Sequence, residues 1–191
     1  MEEPRTGDER SLDPVETLLS GLQDQADAMD AVYDDSAAED LARAERAEVP
    51  LLDRLRAANA VVIEVAGHGP IEGVVAEVGR DVVVIDASDG TWAIVLGGIS
   101  AVTGLAEVAE RATAVSGRLG LACVARSWSR ERAVVRIHRW ASAPLDGTID
   151  RVGADHVDLA EHDPGVPRRG EQVRRSVVVP LAAISALRRR A

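Results

Sequence analysis

Lysine and phenylalanine are absent from this 191-residue sequence, and cysteine occurs once. All 22 basic residues are therefore arginine, and the aromatic residues are three tryptophans and one tyrosine. The single cysteine, Cys123, excludes an intrachain disulfide and fits a reducing cytoplasm. Because Cys123 lies in an apolar run, we expect a small buried side chain, with a partly exposed thiol as the alternative.

Long apolar runs are also missing. None approaches the roughly 20 residues that a membrane-spanning helix needs. The sequence does not start with a basic region that leads into an apolar one, as a secretory signal does. We therefore expect a cytoplasmic protein with no membrane partner.

The negative charge is concentrated at one end of the chain. Residues 1–50 contain 15 acidic and 4 basic side chains, a net charge of −11, whereas residues 51–191 contain 17 and 18, a net charge of +1. Within the second part, residues 111–139 and 168–191 each carry seven arginines and a single glutamate. The sequence predicts an acidic extension followed by a region with basic patches.

One segment of the chain is repeated. Residues 73–83 return as residues 147–157, 74 positions later, with five identical positions. Each copy places Val-Gly-x-Asp between two apolar runs, which is typical of two strands joined by a tight turn. The correspondence extends upstream to a first strand at 61–63 and 135–137. It also extends downstream, where Trp92 corresponds to Val177 at a spacing of 85.

The extra 11 residues in the downstream spacing indicate a loop insertion in residues 161–175, which are rich in proline and glycine. Each copy is thus about five short strands, and curling into a small barrel would protect the edges of such a sheet. Residues 82–85 are apolar on both faces. We expect a helix or the other copy to cover their outer face.

A short apolar helix is predicted before each copy. Leu51, Leu52 and Leu55 follow Pro50 before the first copy, and Val124 and Trp128 occupy matching positions before the second. A helix followed by five strands, with a glycine in strand two and an x-Gly-x-Asp turn after it, resembles the Sm-like (LSm and Hfq) barrels, a type of SH3-like barrel. The resemblance covers residues 51–105 and 118–190.

The Sm-like resemblance implies a fold and an RNA site, but this sequence matches only the fold and lacks the residues of the RNA site. Sm-like barrels stack a base on a side chain in the turn between strands two and three, where this chain has Arg80 and Ala154. They also use an Arg/Lys-Gly pair before strand five, where this chain has Gly-Gly at 97–98 and Ala-Ala at 182–183. The whole chain also resembles a group of high-GC actinobacterial proteins through its acidic N-terminus and residues 151–155, which implies a cytoplasmic protein.

The fold prediction is mainly β with helices: an acidic N-terminal helix and two tandem five-stranded Sm/SH3-like barrels, each preceded by a short helix. The predicted segments are a disordered tail (1–12), an acidic amphipathic helix (13–49), a first barrel (51–105), a helical connector (106–132) and a second barrel with a long loop between strands three and four (133–191). The acidic helix carries an apolar stripe formed by Val15, Leu18, Leu22, Met29 and Val32. The stripe packs on a barrel, self-associates or meets a protein partner, and the sequence does not choose among these.

No catalytic motif or glycine-rich phosphate loop is present, so we predict neither an enzyme nor a cofactor. Five residues near strand three of the second copy have side chains that suit zinc, but they lack four-ligand spacing, and we predict no metal site: His156, Asp158, Glu161, His162 and Asp163. Trp92 and Trp128 are predicted core residues.

The leading functional prediction is a non-enzymatic binding or adaptor protein, and the alternative is an RNA- or DNA-binding regulatory protein. Both use an arginine-rich surface, and an arginine-rich loop is alternatively a solvated face or a clamp for the acidic helix. The candidate contact residues are Arg168, Arg169, Arg174, Arg175, Arg188, Arg189, Arg190 and Trp140.

Overall fold

A computed structural model describes residues 47–105, 109–113, 116–165 and 173–190, together with positions 23, 25, 29, 41, 43 and 44. The chain divides into two compact units, residues 1–48 and 49–191. In the first unit, the described positions up to 47 are helical, and Met29 of the predicted stripe is 53% exposed. The other predicted stripe residues lie outside the described residues, as does the predicted tail 1–12: Val15, Leu18, Leu22 and Val32. Across the described part of the chain, no helix has the length and apolar content to cross a membrane.

The second unit is mainly β. Its described elements are α1 (Leu51–Ala57), β1 (Ala60–Val65), β2 (Gly69–Val78), β3 (Val82–Ala87), β4 (Gly90–Val95), β5 (Ile99–Thr103), α2 (Leu121–Arg130), β6 (Val134–Arg139), β7 (Ser142–Val152), β8 (His156–Glu161), β9 (Arg175–Pro180) and β10 (Ile184–Arg189). The predicted short helices and hairpin turns are confirmed, and β8 ends at Glu161 and β9 begins at Arg175, the two ends of the predicted insertion. Pro50 is the N-cap residue of α1, where its missing N–H costs nothing because the first N–H groups of a helix have no partner within the helix.

All ten strands form one antiparallel sheet in the order β5-β1-β2-β3-β4-β10-β6-β7-β8-β9. Each copy contributes five adjacent strands, with its fifth strand beside its first and its fourth strand at the far end. The two copies join where β4 pairs with β10, with Ala93 opposite Leu187. We call this pairing the junction. Among the described strands, this leaves β5 and β9 as the edges of the sheet.

Corresponding residues of the two copies occupy corresponding places. Gly73 lies opposite Val61, and Gly147 lies opposite Val135, 74 positions later in each case. In the turn after strand two, the Gly79 N–H donates to the Val82 carbonyl, and the Gly153 N–H donates to the His156 carbonyl, both at 2.8 Å. The second strand of each copy is also bulged at the same point, after Val75 and after Ile149. The internal repeat therefore corresponds strand for strand.

The core consists of two apolar clusters, and each contains residues from both copies. Val83 and Ile85 of β3 lie in the cluster of the first copy, which also contains Ala186 of β10. Val82 and Ala93 lie instead in the cluster of the second copy, packed with α2. The expectation that the outer face of residues 82–85 is covered is therefore confirmed, and the cover is the other copy with its helix. Burial of these side chains is the main force that holds the copies together.

Candidate functional site at the junction

Trp140 lies on the surface of the junction and contacts both copies. Its indole N–H donates to the Ala182 carbonyl at 3.0 Å, which fixes the ring over the loop before β10. A Cβ atom built on Gly97 of the first copy would lie 3.6 Å from the Trp140 ring, so the ring lies against that glycine. Trp140 nevertheless remains 41% exposed, whereas Trp92 and Trp128 are 0% and 4% exposed. The core predictions for Trp92 and Trp128 are confirmed.

A cluster of aromatic and imidazole rings lies at the junction. The ring centroids of His68 and Trp92 are 4.8 Å apart, those of His68 and His138 are 4.7 Å apart, and those of Trp92 and His138 are 5.0 Å apart. His68 comes from the β1–β2 turn of the first copy and His138 from β6 of the second. The cluster therefore forms only when the two copies pack together.

The charged residues around this cluster are paired with one another. Asp89 accepts hydrogen bonds from the Trp92 indole N–H at 2.8 Å and from Arg188, whose guanidinium lies over the Trp92 ring at 5.4 Å from its centroid. Although its burial raises the pKa of Asp89, these two hydrogen bonds hold that pKa below its usual value. Arg136 forms a two-pronged ion pair with Asp146. Asp89 is therefore a carboxylate at neutral pH, and it neutralises Arg188.

Both imidazoles of the cluster are neutral at pH 7. Burial is the main reason that the pKa of His138 falls from its ordinary value to about 4. The positive charges that His68, Arg136 and Arg188 can place nearby act in the same direction. Burial and Arg188 also lower the pKa of His68. The Nε2 atom of His138 is buried and has no hydrogen-bond partner. A proton on His138 would therefore be poorly solvated and would face like charges.

The predicted arginine contacts are mostly ion-paired where the structure describes them. Arg174 bonds Asp163, Arg175 bonds Glu161, Arg188 bonds Asp89 and Arg189 bonds Glu131. Arg190 is exposed, and Arg168 and Arg169 lie outside the described residues. The structure thus distributes these side chains among separate acidic partners, which reduces the free positive charge that they present to a polyanion.

The residues weighed for a metal site do not come together. Among the described residues, no group of three or more His, Cys, Asp or Glu side chains has the geometry to hold a metal ion. His162 is buried, and its ring bonds the Thr148 hydroxyl at 2.9 Å and the Asp163 carbonyl at 3.0 Å. His156 instead bonds Asp155 at 2.8 Å. Both imidazoles therefore have protein partners.

Cys123 was expected to be buried, and that expectation is wrong, because its side chain is exposed. The buried positions of α2 are Leu121, Val124, Ala125 and Trp128. Cys123 is on the opposite side of the helix, since it follows Leu121 by only two positions and two positions are about 200° of helical rotation.

The imidazole cluster was not found from the sequence. Along β6, Val135 and Ile137 alternate with Arg136 and His138, and such alternation predicts a solvated outer face for the two polar residues. The signal that could have identified the cluster is the prediction that the two copies cover each other.

No model of a known protein family matches the chain, and comparison with curated proteins also gives no match. The architecture therefore defines its class: a mainly β protein with a large antiparallel sheet.

Proposed function

We propose that this protein is a non-enzymatic binding or adaptor protein, and that Trp140 anchors a protein partner at the junction. The observation that carries the proposal is a large aromatic side chain that is held in place yet left 41% exposed. Tryptophan is enriched among the residues that contribute most to protein–protein binding. Trp140 also loses little conformational entropy on binding, because its hydrogen bond to Ala182 already fixes the ring.

The surroundings of Trp140 suit a protein contact. Its neighbours Gly97 and Ala182 are small, uncharged and exposed, so a partner could approach the indole closely. We further propose that each five-stranded half is an Sm/SH3-like barrel, which the two apolar clusters support, because each half contributes most of the residues of one cluster. In this proposal, the acidic N-terminal segment provides a second contact surface through its apolar stripe, by self-association or with a partner.

Replacement of Trp140 by Ala is expected to abolish capture of a specific partner from the cytoplasm of the protein's own cells, after nuclease treatment. The matched control is Val74→Ala, because Val74 is another large exposed apolar side chain, at 49%. Removal of a central aromatic contact typically costs at least about 2 kcal/mol of binding free energy, or roughly thirtyfold in affinity. The measurement is quantitative mass spectrometry of proteins crosslinked to each variant. Identical partner sets for wild type and Trp140→Ala would refute the proposal.

RNA or DNA binding is the alternative, and it predicts a different result for a truncated protein. If the acidic segment competes for the arginines, deletion of residues 1–48 should create nucleic-acid retention at low salt, lost steeply as salt rises. Under the adaptor proposal, residues 49–191 should show no more retention than the full chain, because most of the described candidate arginines are already ion-paired. Filter binding of RNA and DNA between low and physiological salt makes this measurement.

A further inference from the structure

The first copy has a notch in its β2–β3 turn that receives part of the second copy. The Arg80 N–H donates to the Leu119 carbonyl at 2.8 Å, and the Leu121 N–H donates to the Asp81 carboxylate at 3.1 Å. A Cβ atom on Gly79 would overlap the Leu119 carbonyl. Gly79 therefore leaves the space in which the segment leading into α2 docks.

The second copy has the same turn, and its own side chain fills the notch. A Cβ atom on Gly153 would lie 2.5 Å from the His156 ring, so the imidazole occupies the place that the Leu119 carbonyl takes in the first copy. The ring is held there by Asp155 at 2.8 Å, with Asp158 at 3.9 Å on its other nitrogen. Two corresponding glycines thus make room for different occupants: a docking segment in one copy and the turn's own histidine in the other.

The sheet face beside the notch also differs between the two copies: it is apolar in the first copy and carries charged groups in the second. In the first copy, this face is formed by Val82, Val84, Ala93 and Val95, which pack in or against the apolar cluster of the second copy. The repeat alignment places His156, Asp158, Val178 and Pro180 at the corresponding positions. Asp158 forms an ion pair with Arg151 at 2.7 Å. Burial of this face would therefore desolvate charged groups, which is costly.

The β9 edge nevertheless keeps features of a docking surface. β9 is the counterpart of β4, which pairs with β10 at the junction, and β5 at the other edge is the counterpart of β10. Val178 is 63% exposed, whereas its counterpart Ala93 is 0% exposed because the second copy covers it. The partner that fits the β9 edge is therefore a second copy of the chain. The β5 strand of that copy would pair with β9 as β10 pairs with β4 at the junction.

We propose that the β8–β9 end of the sheet is a head-to-tail docking surface for a second copy of this chain, held closed by His156 and Asp158. The imidazole fills the notch, and the Arg151–Asp158 pair makes the adjacent face costly to bury. Assembly through paired strands consequently stops at the two copies within one chain. This inference is independent of the proposed role of Trp140.

The test is to restore the residues of the first copy in the full-length chain, with His156→Val and Asp158→Val together. Analytical ultracentrifugation over a concentration series should show the double variant associating at least about tenfold more tightly than wild type, because apolar contacts replace buried charges. The control Glu77→Val adds one apolar side chain to an exposed position away from both sheet edges, and it should sediment as wild type does.

A third substitution tests the route of association. Ala101 of β5 is exposed, whereas its counterpart Ala186 is fully buried at the junction. Ala101→Asp should therefore reverse the association of the double variant without disturbing the isolated chain. If the double variant fails to melt cooperatively, the single variant His156→Ala opens the notch alone and should show reversible association through the same edge, weaker than that expected of the double variant because the Arg151–Asp158 pair remains. The proposal is wrong if a folded variant gains no association, if Ala101→Asp does not reverse it, or if wild type already associates through Ala101.

Discussion

Replacement of Gly90 by Ala is expected to destabilise the protein by about 3 kcal/mol or more, because two costs add at this position. Gly90 has φ +132°, a conformation that side chains rarely adopt. A Cβ atom there would also overlap the Arg189 carbonyl of β10 at the junction. Neither the added Cβ atom nor the Arg189 carbonyl can move without separating β4 from β10. Chemical denaturation with tryptophan fluorescence measures the loss of unfolding free energy.

Two other glycines separate the two costs. Gly69 has φ +107° but no neighbouring atom within 4 Å of a built Cβ, so Gly69→Ala should cost only the conformational part, about 1–2 kcal/mol. Gly165 has open space and no positive φ, so Gly165→Ala should change stability by less than about 0.5 kcal/mol. A Gly90→Ala variant as stable as Gly69→Ala would show that β4 and β10 are not packed as closely as described.

Acidification from pH 7 to pH 4 is expected to remove up to about 3 kcal/mol of stability through His138 alone. Its pKa is about 4 in the folded protein and near 6.5 when unfolded, and each unit corresponds to about 1.4 kcal/mol. Between these values the unfolded chain binds a proton that the folded protein does not, so the free energy of unfolding falls as pH falls. The loss begins near pH 6.5 and is complete near pH 4. The lowered pKa of His68 acts in the same direction.

The His138→Gln variant isolates this contribution, because glutamine does not titrate. Carboxylates also titrate in this range, so the quantity to compare is the change in unfolding free energy between pH 7 and pH 4.5 in each protein. We expect a distinctly shallower dependence in His138→Gln than in wild type. Equal slopes would mean that His138 is solvated in the folded protein and that the copies do not cover it.

Much of the strand pattern was predictable from local residues. The Gly-x-Asp turns, the Asp-Gly turn before β4 and the proline-rich insertion before β9 each have a physical reason that involves only a few neighbouring residues. The candidate site was less predictable. The sequence predicts Trp140 as a candidate contact residue, but the fixed orientation of its ring depends on Ala182, 42 positions away. The ion pairs of the arginines were equally hidden, because Arg188 and Asp89 are 99 positions apart.

The sequence by itself determined that residues 51–190 contain two copies of one five-stranded unit, since alternation, turn chemistry and the repeat spacing act within a few residues of each other. It also showed that β3 must be covered on both faces. Only the tertiary structure decided how the copies meet, through β4 and β10 in one continuous sheet, because strand pairing depends on which edges come together in space. The pairing of the two copies buries His138 and leaves Trp140 exposed. It also leaves His156 in the notch of the second copy, whereas the corresponding notch of the first copy holds the segment before α2.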